Sequence, residues 1–79
     1  MISAAQIRAA RGLIGISADE LARNAGISWA TVQRFESAPG IPLSRGGTLE
    51  RVQRALETAG IEFIGDPLRS PGVRLRRRV

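Results

Sequence analysis

Apolar residues recur at helical spacing along most of the chain, and nearly every recurrence begins just after a serine or threonine and ends at a glycine. Ile7, Ala10, Arg11 and Ile14 share one face of a helix. Ser3 and Gln6 stand before them at the spacing of a capping box, in which hydroxyl and amide each satisfy an orphan backbone N–H. Gly12 and Gly15 weaken the end of this first helix. Ser17 and Glu20 repeat the box, with Ile16 and Leu21 at the positions of a hydrophobic staple, and predict a second helix from about Ala18 to Ala25. Gly26 follows where a helix exit favours a left-handed residue. Ser28 then caps a third helix from Trp29 to about Ser37, with Ile27 and Val32 as its staple. Pro39, Gly40, Pro42, Gly46 and Gly47 mark a loop, after which Thr48 is expected to cap a fourth helix with Leu49, Val52, Leu56 and Ala59 on one stripe and Gly60 as its stop.

Beyond Gly60 the period changes to two. Ile61 and Phe63 alternate with Glu62, and Val73 and Leu75 alternate with Arg74 and Arg76, which predicts two short strands. Asp66-Pro67 and Pro71-Gly72 lie between them, so the segment reads as a hairpin with a long turn. A lone two-stranded hairpin is marginal in water and must pack on the helices or pair with another chain. The expected architecture is all-α, a bundle of four short helices over residues 1–60, with a small C-terminal β-hairpin and an Arg-rich tail over residues 61–79.

Composition narrows the function classes. Seventy-nine residues, 43% hydrophobic and 24% charged, make one folded unit, whose stability at this length is about 4 to 12 kcal/mol. His, Cys, Lys and Tyr are all absent. Nucleophilic catalysis would lack an imidazole or amine base, and a metal site would have only carboxylates, so no enzyme, no metal and no cofactor is expected. No run of about 18 apolar residues suggests a membrane span, and the N-terminus does not resemble a signal peptide, so a cytoplasmic protein without a membrane partner is expected. The net charge of +5 is unevenly spread. Residues 1–68 carry seven Arg and seven acids, and the whole excess is Arg69, Arg74, Arg76, Arg77 and Arg78. Such a tail either binds phosphate or is a solvated terminus that aids solubility.

The most informative spacing surrounds Gly26. In a helix-turn-helix unit beginning at Ala18, the fourth, eighth, tenth, fifteenth and eighteenth positions must be apolar, and they are Leu21, Ala25, Ile27, Val32 and Phe35. The fifth must be small and the ninth must tolerate a left-handed turn, and they are Ala22 and Gly26. The run SADELARNAGISWATVQRFE, preceded by RGLIGI, resembles the Cro/C1-type (XRE-type) helix-turn-helix domain, the lambda-repressor-like DNA-binding domain of many small bacterial regulators. The resemblance covers residues 3 to about 60, and IEFI and PGVRLRRR resemble a tail of small single-domain members.

The resemblance implies roles for particular residues. Arg11 and Glu36 match an ion pair that ties the first helix to the end of the recognition helix, and a charge on the apolar face of the first helix needs such a partner. Trp29, Ala30, Gln33 and Arg34 match positions that reach base edges or the adjacent backbone, where Arg34 would fork onto guanine and Gln33 would pair with adenine or contact phosphate. Ser28, Thr31 and Arg45 are candidate phosphate donors. Two departures stand out. Ala18 replaces the Gln by which most relatives contact the DNA backbone, and Trp29 is bulky and apolar, so it either stacks on sugar or a thymine methyl or fills a gap beneath the loop.

The expected function is sequence-specific transcriptional regulation, more specifically repression, by a homodimer on a palindromic double-stranded DNA operator with the third helix in the major groove. The hairpin edge is the expected dimer surface, and Arg74, Arg76 and Arg78 would align on its solvent side as phosphate or dimer contacts. The rival reading is an antitoxin that binds its own promoter and a toxin. A protein adaptor or an RNA binder using the Arg-rich end are further alternatives.

Overall fold

The computed structural model describes residues 1–77 and contains α1 (Ala4–Ile14), α2 (Ala18–Ala25), α3 (Trp29–Glu36), α4 (Thr48–Thr58), β1 (Ile61–Ile64) and β2 (Gly72–Leu75). Helix starts follow the serines. Ser3 Oγ accepts from Gln6 N at 3.3 Å while Gln6 Oε1 accepts from Ser3 N at 3.0 Å. Ser17 Oγ accepts from Glu20 N at 3.0 Å, and Glu20 Oε1 accepts in return from Ser17 N. Ile2 and Ile7 occupy staple positions around the first box and are both fully buried. Gly26 leaves α2 at φ 70°, a left-handed conformation that is costly for any residue with a Cβ, and turns the chain into the Ser28 cap of α3.

The fourth helix starts differently from expectation. Thr48 is its first residue rather than its cap; Gly47 occupies the cap position at φ 75° with no side-chain bond to offer. Ser44 Oγ accepts from Leu49 N at 2.9 Å instead, and the Thr48 hydroxyl donates backwards to Arg45 O at 2.7 Å. The left-handed pair Gly46 and Gly47 makes the loop approach from the side, which brings a serine five residues upstream of Leu49 within reach. Ala59 also departs from expectation, being the exposed C-cap of α4 and not part of its buried stripe.

One core joins all the elements. Ile2, Ile7, Leu21, Val32, Phe35, Leu49, Val52, Leu56 and Ile61 are buried in it, with Ile14, Ile27, Phe63, Val73 and Leu75 packed around its margin. The two strands pair antiparallel, Ile61 opposite Leu75, Glu62 opposite Arg74, Phe63 opposite Val73 and Ile64 opposite Gly72. Period two therefore puts Ile61, Phe63, Val73 and Leu75 on the face toward α1 and α4. Gln6 completes the attachment, because its Nε2 donates to Ile64 O at 3.3 Å and to Gly72 O at 3.1 Å. The turn closes at Gly65, where an added Cβ would collide with Ser70 O. Among the described residues no helix is long and apolar enough to cross a membrane.

Candidate nucleic-acid interface

The exposed face of α3 is built from its first turn upward. Ser28 is held in extended conformation, and its Oγ accepts from Thr31 N at 3.1 Å and lies 2.8 Å from Thr31 Oγ1. Val32, Phe35 and Glu36 point into the protein. The same helical period turns Trp29, Ala30 and Arg34 to solvent, with Thr31 and Gln33 half-buried at the edges. Trp29 is 55% exposed, so it does not fill a gap beneath the loop.

Two contacts hold this helix in place. Arg11 Nε and Nη2 donate to the two carboxylate oxygens of Glu36 at 2.8 and 3.0 Å, and Arg11 Nη1 donates to Ile16 O at 3.2 Å. Glu36 is only 8% exposed, and its hydrogen bond to Arg11 pushes the guanidinium further toward its charged form against the opposing effect of burial. Arg8 adds a hydrogen bond from its Nη1 to Glu36 O. The C-terminal turn of α3 is thus anchored to α1 by side chain and backbone alike.

Two cations stand together here, Arg34 on α3 and Arg45 in the loop that follows it. Arg34 does not extend straight outward: its Nη1 donates to Leu43 O at 3.3 Å, and its guanidinium carbon sits 5.1 Å from the Phe35 ring centroid. Thr31, Arg34, Leu43, Ser44, Arg45 and Thr48 line a shallow hollow there. Of those six, Ser44 and Thr48 are already committed to the start of α4. The ion pairs among the described residues are Arg11 with Glu36, Arg23 with Asp19, and Arg74 and Arg76 with Glu62. Arg34 and Arg45 are in none of them. Of the three acids of α2 and α3, Glu36 is buried against Arg11, Asp19 is paired with Arg23, and Glu20 stands at the start of α2 as a cap partner of Ser17. An anion approaching α3 meets two guanidinium groups that are in no ion pair among the described residues, the exposed indole and the Gln33 amide.

The tail differs from the row of free cations expected of it. Arg74 Nη2 lies 2.6 Å from Glu62 Oε1 and Arg76 Nε lies 3.0 Å from Glu62 Oε2, so one carboxylate sits between both arginines. The register is the cause, because Glu62 faces Arg74 directly across the strands and Arg76 is its diagonal neighbour. Arg78, the third member expected in that row, lies outside the described residues. Arg8 and Ser44 carry structural roles that the spacing did not assign, and Gln6, assigned to the capping box, also holds the hairpin. For Gln6 a signal existed, since an amide at that box position has two donors that a carboxylate lacks. Compared with known proteins, the chain matches no family model, and a search of curated proteins finds no similar sequence.

Proposed function

We propose that this protein is a sequence-specific DNA-binding transcriptional regulator of the lambda-repressor-like helix-turn-helix class, a cytoplasmic repressor that places α3 in the major groove of a palindromic operator. The observation that carries the reading is the division of α3 into a buried side clamped to α1 through Glu36 and an outer side bearing the exposed Trp29, Ala30 and Arg34 with the half-buried Gln33 at its edge. A helix held this firmly on one face is suited to present the other to base edges. Arg45, beside it in the loop, is placed to contact a flanking phosphate, and Thr31 stands at the rim of the same hollow. Ser28 serves first as a helix cap. Among the described residues the outer edges of the two-stranded sheet have no backbone partners, which supports pairing of two copies through the hairpin and hence two half-sites one helical turn apart.

Selection from randomised duplexes tests the proposal. A two-fold symmetric motif is expected for the unaltered protein, and enrichment no better than the starting pool would refute it. Arg34→Ala is expected to relax preference at one position of each half-site by about 1 to 3 kcal/mol while the melting temperature stays close to that of the parent. To reach a base, the Arg34 side chain would exchange its 3.3 Å bond to Leu43 O and its place over the Phe35 ring.

A further inference from the structure

The first turn of α3 shows solvent an apolar surface where a polar one would be ordinary. Its two hydroxyls, on Ser28 and Thr31, are engaged with each other and with the Thr31 backbone. Ser28 is exposed with its hydroxyl so engaged, and beside it Trp29 and Ala30 show solvent a surface that is mainly carbon. The outward polar groups, Gln33 and Arg34, belong to the second turn. Trp is a large hydrophobic side chain that usually dominates a core or an interface, yet here the only Trp of the chain lies at the candidate interface and outside the core.

An indole has one N–H donor and no acceptor, so it cannot make the paired hydrogen bonds that distinguish adenine or guanine. Its large surface is carbon. In the major groove the base edges of unmodified DNA offer hydrogen-bonding atoms and one apolar group, the 5-methyl of thymine. We propose that Trp29, with Ala30 beside it, is a specificity-determining residue that reads the 5-methyl group of a thymine, while Gln33 and Arg34 read polar edges further along the groove. The inference rests on the DNA-binding reading above and adds to it the chemical group recognised by the first turn.

The test uses the full chain and a site obtained by selection. Each thymine of that site is replaced in turn by deoxyuridine, which removes the methyl and leaves the hydrogen-bonding edge unchanged. Loss of one buried methyl predicts binding about fourfold weaker at one thymine of a half-site. In Trp29→Ala the same replacement is expected to have no effect at that thymine, while replacements elsewhere behave as they do in the parent. Sequence-specific binding with no methyl-dependent position overturns the inference and leaves the DNA-binding reading standing, pointing the indole to sugar or to a protein partner. A methyl-dependent position that persists in Trp29→Ala overturns the assignment to Trp29. If selection yields no site at all, both readings fail together. Should Trp29→Ala not fold, the deoxyuridine scan on the unaltered protein still decides whether a methyl is read.

Discussion

Glu36 has both carboxylate oxygens on the Arg11 guanidinium and almost no exposure of its own. Removing it leaves a partly buried cation with the Ile16 carbonyl but no opposite charge, which costs more than the pair contributes against an apolar substitute. Glu36→Ala is expected to lower stability by about 3 kcal/mol, equivalent to roughly 12 to 24 °C in a domain of this size, and thermal unfolding followed by circular dichroism measures it. Gln6 supports a finer prediction. Glutamate at the same box position would cap α1 equally well, so capping alone predicts little change for Gln6→Glu. The amide also donates to Ile64 O and Gly72 O, and a carboxylate there would strip two donors and set its oxygens against two carbonyls. Gln6→Glu should therefore cost about 2 kcal/mol, with Gln6→Ala as a comparison that loses the donors without adding charge. A denaturation midpoint unchanged in Gln6→Glu would mean that the hairpin is held by its apolar face alone.

Among the elements, three of the four helices begin on local chemistry that a short window contains. Ser3, Ser17 and Ser28 each reach a backbone N–H three residues ahead. The fourth begins on loop geometry, with Ser44 reaching Leu49 N across two left-handed glycines. The hairpin turn is likewise local. Asp66 Oδ1 accepts from the N–H groups of Leu68 and Arg69, both at 2.9 Å, and these bonds hold its pKa below the ordinary aspartate value. A carboxyl group with a lowered folded pKa adds stability that is present above the ordinary value and lost as pH falls through the folded one. The melting temperature should thus decline as pH falls from about 5 through the ordinary aspartate value and below it, and Asp66→Ala should make that decline shallower. Parallel melting curves of parent and variant across this range would show that the turn does not depend on the carboxylate.

For the whole molecule, the question is where the net positive charge can act. The excess of arginines lies in the tail, but Glu62 neutralises part of it by holding Arg74 and Arg76. Those pairs are exposed and add little to stability, yet they lower the field that the hairpin presents to a phosphate backbone. Glu62→Gln should leave the melting temperature nearly unchanged and steepen the dependence of DNA affinity on salt. The increase expected is about 0.9 in logarithmic slope for each further phosphate that the freed arginines neutralise. Arg74→Gln together with Arg76→Gln should make the slope no steeper than that of the parent. A salt slope indifferent to both changes would place the hairpin away from the DNA of the proposed complex.

Much of this was legible in the order of residues because the physics is short in range. Caps, staples, left-handed exits and helical or strand period act within a few positions, and so the bounds of α2, the serine starts and the inward faces of both strands follow from the chain alone. A charge on the apolar face of the first helix signalled that Arg11 needs an opposite charge, while Glu36 as that partner came from the resemblance. What the sequence could not specify is which group meets which across the fold. Tertiary packing decided that Trp29 stays in solvent, that Arg34 folds back to Leu43 O, and that Gln6 bonds to two carbonyls about sixty residues away. It also decided that Glu62 claims two arginines of the tail, because strand register, unlike period, is set only when the second strand has been laid against the first.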